Sequence, residues 1–291
     1  MSFDYEDELL VCVTCGTQFD VTAGLKSCHI CDDPRQYVPP TGQSFTRLSD
    51  ARRSQKHKNE ITQPYIDEPR IWTINTVSKL GIGQRAFLIK TQHGNVLWDD
   101  VAYIDHETVE KINELGGIDA IVISHPHFYT THLTWSRAFN DAPVYLASDD
   151  EEWLARSDTR CVRRFVDTPV KEVLPGVTAI KVGGHFPGSM VLHWENRLFV
   201  ADSIQVAPSA LYDVDRQEGT VSFGFLWSYP NMIPLSPAAI SHIVKAIQPF
   251  SFDIAHGMIP GAEVKRNAKA KVIESARTII SAMGYRWEEY V

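Results

Sequence analysis

The sequence predicts a mixed α/β (α+β) domain of the αββα sandwich kind, preceded by a small module held together by cysteines. Two observations indicate this architecture. Short apolar strand patterns alternate with a few helix patterns over residues 71–291, which is typical of sheets with helices packed outside them. Four of the five cysteines lie within the first 31 residues, apart from that pattern. Periodicity alone does not select the sandwich over other α/β folds.

The composition suits one large ordered domain with a small appendage. The chain has 291 residues, of which 44% are hydrophobic, so it can bury one large core. Its formal net charge of -8 argues against a nucleic-acid partner. The first residues lack a signal-peptide pattern, and no apolar run approaches the roughly 20 residues that span a bilayer. We therefore expect a cytoplasmic protein without a membrane partner, whereas the sequence does not indicate its oligomeric state.

The N-terminal cysteines form two Cys-x-x-Cys pairs separated by a short spacer. They are Cys12, Cys15, Cys28 and Cys31. Two such pairs make a tetrahedral thiolate site for zinc. Because thiols stay reduced in the cytosol, metal binding explains the four cysteines better than disulfides do. A segment this short cannot bury enough surface to fold by itself, so a metal would supply the folding free energy. We predict a structural zinc ribbon over residues 1–45, with disulfides or free thiols as the alternative.

Residues 46–70 show no strong periodicity and are predicted to be a connector. They contain a basic run at 52–58, which we expect to be solvated, although such a run can also contact an acidic partner. The fifth cysteine, Cys161, stands among arginines and is expected to be an ordinary core or surface thiol. The main domain is therefore predicted to span residues 71–291.

The elements of the main domain are predicted from hydrophobic periodicity and turn residues. Strands are expected over 71–77, 86–91, 96–98, 118–124 and 144–146, with four more between 170 and 201. Helices are expected over 106–115, 131–139, 151–156, 236–247 and 263–282. The strand at 118–124 is mostly apolar, which predicts that it is buried on both faces.

Histidines follow this buried strand. The chain reads Ser124-His125-Pro126-His127, so two imidazoles two residues apart leave one strand end on the same side. Polar side chains at the end of an apolar strand lie on the sheet rim, where binding sites are usually built. A lone histidine is more often a core or surface residue than a ligand. A His-x-His pair with further loop histidines downstream instead favours a metal site.

Four stretches within residues 71–260 match the motifs of a known superfamily in order and in context. They are His125-Pro-His127-Phe-Tyr129-Thr130, Gly184-His185-Phe-Pro187-Gly188-Ser189, Leu198-Phe-Val-Ala-Asp202 and Ala255-His256-Gly257. In these motifs the chain resembles the metallo-β-lactamase-fold superfamily, which includes β-lactamases, glyoxalase II and flavodiiron proteins. The resemblance implies an αββα sandwich. It also implies a metal site built on the following side chains: His125, His127, His185 and Asp202.

Two further features extend the resemblance to nearly the whole chain. Asp99 stands at the end of a predicted strand, where the superfamily also has an Asp. The resemblance implies that Asp99 braces the histidine loop. The ribbon, the stretch at 30–38 and the Ser-His-Pro-His-aromatic-Tyr loop resemble an uncharacterised branch of the superfamily, which joins such a ribbon to such a loop.

One departure from the superfamily's pattern concerns a second metal. Where the motif His-x-His-x-Asp-His has its Asp and its last His, this sequence has Tyr129 and Thr130. Carried over by position, the first metal site is complete. The second keeps only Asp202 and His256, unless His132 or Tyr129 contributes. We therefore predict a single-metal centre, with His256 included among the candidate ligands.

Three imidazoles and a carboxylate suit zinc, and they also suit ferrous iron or manganese. A metal with an open position activates water for attack on a small ester, thioester or lactone. General-base duty would then pass to Asp202, His132 or Tyr129, and His256 would polarise the substrate or donate a proton. Tyr129 has two readings: a donor to a developing oxyanion, or an aromatic ring that fills the space of the second metal.

The aromatic segment at 223–231 is expected either to wall the mouth of the site or to form core beneath a loop. The first reading favours a small apolar substrate. A metal-dependent hydrolase is thus the predicted function. The alternatives are a mononuclear non-haem iron oxygenase on the same scaffold and a degenerate member that binds a ligand without turnover.

Overall fold

Residues 5–212 and 216–290 are described by a computed structural model, in which the chain divides into two units. The first unit contains the chain up to Leu146 together with Asp150–Phe165, and the second contains Ala147–Asp149 and the chain from Val166 onwards. Within the described ranges, no helix has the length and apolar character needed to cross a membrane.

The first unit begins with the cysteine-rich module. Its strands β1 (Leu10–Cys12) and β2 (Phe45–Arg47) pair antiparallel, and helix α1 (Leu48–Arg53) follows directly. The four cysteines are buried together with Phe19 and Ile30 in one small apolar cluster. Because so few apolar side chains take part, the module depends on its cysteines for stability.

A seven-stranded sheet forms the rest of the first unit. Its strands, in sheet order, are β3 (Lys58–Thr62), β4 (Ile71–Val77), β5 (Ala86–Thr91), β6 (Gly94–Trp98), β7 (Ala120–Val122), β8 (Val144–Ala147) and β9 (Arg163–Val166). Helix α2 (His106–Glu114) connects β6 to β7, and helix α3 (His132–Ala138) connects β7 to β8. Strands β6, β7 and β8 are parallel to their neighbours in this group, so the loops that follow them meet at one sheet edge.

Two elements of this sheet differ from the sequence prediction. Strand β3 lies inside the segment predicted as a connector, because of its five residues only Asn59 is buried and the apolar alternation is weak. The helix predicted at 151–156 is instead a 3-10 stretch, Ser148–Trp153, which has a non-helical break at Asp150. The strands at Ile71–Val77 and Ala86–Thr91, by contrast, have the predicted bounds.

The described part of the second unit contains ten short strands and two α-helices. The strands are β10 (Val170–Leu174), β11 (Val177–Lys181), β12 (Met190–Trp194), β13 (Arg197–Phe199), β14 (Gln205–Val206), β15 (Phe223–Gly224), β16 (Leu226–Ser228), β17 (Ile233–Pro234), β18 (Ile254–His256) and β19 (Glu263–Val264). Six of them form one sheet in the order β10-β11-β12-β13-β18-β19, with β13 parallel to β18. Helices α4 (Pro237–Ile247) and α5 (Ala268–Ala282) share one core with this sheet through Ile180, Ile243 and Val272.

The starts of these helices follow from their first residues. Helix α4 begins with Pro237 after Ser236, whose hydroxyl accepts a hydrogen bond from the backbone amide of Ala239 at 3.3 Å. Helix α5 begins five residues later than predicted. Its preceding residue, Asn267, has a φ of 56°, and the earlier pair Glu263–Val264 joins β18 as strand β19 instead.

Candidate metal centres

The four N-terminal cysteines converge on one point. Their Sγ atoms all lie within 4.8 Å of one another. The separation is 3.7 Å between Cys12 and Cys31 and 3.5 Å between Cys15 and Cys28. A tetrahedral site with metal–sulfur bonds of about 2.3 Å requires sulfur separations of about 3.8 Å, whereas a disulfide needs about 2.05 Å. The cluster therefore fits a metal, and none of the described cysteines forms a disulfide.

Gln43 supports this cluster from outside. Its amide nitrogen donates to Sγ of Cys31 at 3.0 Å and to the carbonyl of Cys28 at 2.9 Å, and its amide oxygen accepts from the backbone amide of Cys28 at 2.9 Å. An N–H donor stabilises a thiolate ligand. His29, which lies inside the second Cys-x-x-Cys pair, is not one of the clustered ligands, because its ring packs edge-on against Phe19 and stacks on Trp153.

A second group of donors begins at the end of β7. Here Asp99 accepts a hydrogen bond at its Oδ1 from the backbone amide of Ser124 at 2.7 Å, and its own amide donates to the carbonyl of Val122 at 2.8 Å. Asp99 has a φ of 56°, a conformation that Asp tolerates better than most residues. The two bonds join the loop after β6 to the backbone that carries His125, as the sequence predicts.

The histidines and Asp202 supply four buried donor atoms within 4.8 Å of one another. The group consists of His125, His127, His185 and Asp202. Nε2 of His185 lies 3.4 Å from Oδ2 of Asp202. Bonds of about 2.0–2.2 Å from zinc to nitrogen and oxygen require donor separations of about 3.4 Å in a tetrahedral site. Chemistry, burial and spacing therefore fit a metal ion held by three imidazoles and one carboxylate.

The outer ring nitrogens of these histidines have hydrogen-bond partners. Nδ1 of His185 donates to the backbone carbonyl of Trp227 at 2.7 Å, and Nδ1 of His125 lies 2.8 Å from Oγ of Ser124. A proton on Nδ1 leaves Nε2 as the nitrogen that binds a metal. Trp227 contacts His185 through its backbone carbonyl, so the type of side chain at this position could not have predicted the contact.

His127 has the partner that the sequence did not predict. Its Nδ1 lies 3.2 Å from the side-chain amide of Gln36, which is buried and belongs to the segment after the fourth cysteine. The sequence could have indicated this contact only by showing that Gln36 is buried. The stretch around Gln36 has no hydrophobic periodicity, so its burial could not be predicted.

His132 and Tyr129, the two residues considered for a second metal, make other contacts. Nδ1 of His132 donates to the carbonyl of Tyr129 at 2.5 Å, and its Nε2 accepts from Nε of Arg163 at 3.1 Å. Burial and the nearby charge of Arg163 lower the pKa of His132 to about 3, so the ring is neutral. The hydroxyl of Tyr129 donates to the carbonyl of Asp150 at 3.4 Å, and burial raises the pKa of Tyr129 well above its usual range.

His256 lies outside the group of four donors that the described residues form. Its Nδ1 donates to the carboxylate of Glu263 at 2.5 Å, and Nη1 of Arg197 lies 3.2 Å from its Nε2. The ring also stacks on Phe199, with the ring centres 4.8 Å apart. Ligation by His256 stays a prediction that this geometry does not favour, because both ring nitrogens are engaged by neighbours in β13 and β19.

An apolar cavity of about 260 Å³ lies in the second unit, and Ala201, which precedes Asp202 in the chain, forms part of its wall. It is lined by Ala201, Ile204, Gln205, Val206, Pro208, Leu211, Tyr229 and residues 257–262. The hydroxyl of Tyr229 accepts a hydrogen bond from Gln205 at 3.3 Å. Burial and the charge of Asp202 raise the pKa of Tyr229, so this hydroxyl stays protonated. Within the aromatic segment, Tyr229 thus lines the cavity, whereas Phe223 and Phe225 are fully buried in the core.

Fold and donor set together define the class of protein. The chain has the metallo-β-lactamase fold. The solved structure of VMB-1 is similar to 78% of this chain and 98% of its own length, with a TM-score of 0.52 and 12% sequence identity. The metallo-β-lactamase DIM-1 gives the same TM-score and identity over 77% of this chain and 98% of its own. These likenesses confirm the predicted αββα fold class.

The chain belongs to the same family as the uncharacterized protein YmaE of Bacillus subtilis (strain 168). The two sequences are 37% identical over 280 residues, which cover 94% of this chain and 96% of YmaE. No protein-family model matches the sequence.

Proposed function

We propose that this chain is a metal-dependent hydrolase that cleaves a small apolar ester, thioester or lactone at a single-metal centre. The observation that carries the proposal is the group of four buried donors, in which the ligand atoms lie within 4.8 Å of one another. Three neutral imidazoles and one carboxylate suit zinc, and they also suit iron or manganese. When bound, the metal ion acts as a Lewis acid and lowers the pKa of a bound water molecule.

One metal is proposed rather than two because the positions that would hold the second are otherwise engaged. Tyr129 donates its hydroxyl to the carbonyl of Asp150, and Thr130 donates its hydroxyl to the carboxyl group of Asp100. His256 in turn lies between Glu263 and Arg197. Each of these side chains holds part of the loop structure, so none is available in this arrangement to ligate a second ion.

Asp202 is the residue proposed to receive the proton of the attacking water. Its carboxylate is buried, and it lies within the donor group beside Nε2 of His185. His256 is less suited to this task because both of its ring nitrogens are hydrogen-bonded. Tyr229, which stays protonated beside the cavity, can donate a hydrogen bond to an oxygen of the substrate.

The cavity lined by Ala201 and Tyr229 supports an apolar substrate. Its walls come mostly from aliphatic side chains, and its polar groups are the hydroxyl of Tyr229 and the amide of Gln205. A cavity of about 260 Å³ takes a short acyl chain rather than a polymer. Small-molecule ester or thioester substrates are therefore proposed, and nucleic acid is not.

Filling this cavity should change substrate preference by acyl length. Ala262 is half-buried and lines the cavity, so Ala262→Phe should lower kcat/KM for a hexanoate ester by about tenfold to a hundredfold. The acetate ester of the same alcohol should be cleaved at nearly the unaltered rate, because its acyl group does not reach the filled space. Equal losses for both esters would contradict the assignment of the cavity as the acyl site.

The proposed function is tested on protein purified without added metal. Element analysis should find two metal ions per chain, one for each cluster, and the protein should hydrolyse short-chain esters or lactones in proportion to the metal content of the histidine cluster. Iron at the histidine cluster with oxygen uptake on addition of substrate would instead support the oxygenase alternative. Absence of any metal at this cluster would refute both enzymatic functions.

A further inference from the structure

We propose that Gln36 is a positioning residue that couples the N-terminal cysteine module to the metal centre by setting the tautomer of His127. The proposal rests on the proposed function only in requiring that the histidine cluster binds a metal. It assigns a role to the cysteine module, which takes no part in the proposed reaction.

The segment that carries Gln36 is fixed to the cysteine cluster. The backbone amide of Asp32 donates to the carbonyl of Cys28 at 3.0 Å, and that of Gln36 donates to the carbonyl of Asp33 at 2.8 Å. Arg35 forms a two-pronged ion pair with Asp33 at 2.7 and 3.0 Å, and the side chains are only 12% and 5% exposed. This rigid turn sets the position of the Gln36 backbone relative to the four sulfur atoms.

Two hydrogen bonds and one close contact fix the module to the rest of the first unit. The backbone amide of Gln18 donates to the carbonyl of Thr130 at 3.0 Å, and its side-chain oxygen accepts from the hydroxyl of Thr134 at 2.9 Å. Gly16 packs so closely that a Cβ there would lie 2.5 Å from Cβ of Ala102. Gln36 is thus presented to His127 by a module whose position is fixed at several independent points.

The tautomer of His127 depends on which end of the Gln36 amide faces its Nδ1. The amide nitrogen of Gln36 faces Nδ1 of His127 at 3.2 Å, and in that arrangement it donates, so the ring proton lies on Nε2. A metal on Nε2 requires the proton on Nδ1, which then needs an acceptor. Rotation of the amide by half a turn supplies its oxygen for this purpose. With its amide oxygen turned towards Nδ1, Gln36 holds the metal-binding tautomer of His127 without displacement of the backbone.

The test compares two substitutions of opposite chemistry. Gln36→Met keeps the length and burial of the side chain but provides no amide. It should weaken zinc binding at the histidine cluster by about 10- to 100-fold in competition with a chromophoric chelator. Gln36→Glu provides only acceptors when ionised, so it should bind zinc at least as tightly as the unaltered chain. Gln63→Met is the matched control, since Gln63 caps the carbonyls of Tyr65 and Glu68 away from both clusters.

The cysteine cluster should retain its zinc in all three variants, because Gln36 contacts none of its sulfur atoms in the hydrogen bonds described above. Equal zinc affinity of Gln36→Met and the control would overturn the inference while leaving the proposed function intact. Equal weakening by Met and Glu would also overturn it, because a merely structural role does not distinguish an acceptor from a thioether. Failure of the unaltered chain to bind zinc, iron or manganese at the histidine cluster would instead refute the proposed function.

Discussion

Replacement of His185 by alanine is expected to remove one metal ion per chain and to abolish ester hydrolysis. His185 is fully buried, and its Nε2 lies 3.4 Å from Oδ2 of Asp202, so it is a central member of the donor group. Loss of the metal removes several kcal/mol of transition-state stabilisation, which corresponds to a fall in kcat/KM of about 1,000-fold or more. Metal content and initial rates on the same preparation would measure both effects.

A matched control is available on strand β12. Nε2 of His193 donates a hydrogen bond to the carbonyl of Ser251 at 2.9 Å, and this residue lies outside the donor group. His193→Ala should retain both metal ions and the full rate. Asp202→Asn adds a nearly isosteric test at the other donor, in which the metal should bind more weakly and the general base is lost. If either His185→Ala or Asp202→Asn retained the metal and the full rate of ester hydrolysis, the proposed metal centre would be wrong.

The positions of His125 and His127 were predictable because they depend on a strand end rather than on side-chain packing. Strands β6 and β7 are parallel neighbours, so the residues that follow them meet at one edge of the sheet. The apolar run before Ser124 predicts the strand, and Asp99 then lies where it can reach the loop. His185 and Asp202 were placed by resemblance alone, since no periodicity relates them to His125.

The partners of the ring nitrogens were not predictable in the same way. Gln36 and His127 are 91 positions apart in the sequence, and no strand pairing relates them. The contacts of His256 with Arg197 and Glu263 likewise depend on the position of β18 between β13 and β19 in the sheet. A motif shows which residue types could bind a metal, but the second hydrogen bond of each imidazole depends on tertiary packing. That bond decides whether a histidine is available as a ligand.

Replacement of Cys28 by serine is expected to unfold the cysteine module and to release its metal. The free energy of zinc binding in small ribbon-like peptides is about 10–16 kcal/mol and is also their folding free energy. The module here has few apolar side chains besides its cysteines, so the remaining contacts cannot replace that contribution. Limited proteolysis should then cut within residues 13–44, and the metal content should fall by one ion per chain.

Cys161→Ser is the control for this change, because Cys161 is exposed and lies outside the four-sulfur cluster. It should leave both the metal content and the protease resistance unchanged. Loss of protease resistance in both variants would indicate a general effect of thiol removal, and resistance in both would contradict a metal-dependent module.

The effect of Cys28→Ser should extend beyond the module. Gln18 and Gln36 are carried by the module, and they bond to the carbonyl of Thr130 and to the ring of His127. Unfolding of the module removes both contacts at once, so the histidine cluster should bind zinc more weakly than it does in Gln36→Met alone. If instead the histidine cluster of Cys28→Ser binds zinc as tightly as the unaltered chain, the module stabilises only itself. The order of affinities, with the unaltered chain above Gln36→Met and Gln36→Met above Cys28→Ser, therefore measures how far the cysteine cluster supports the metal centre.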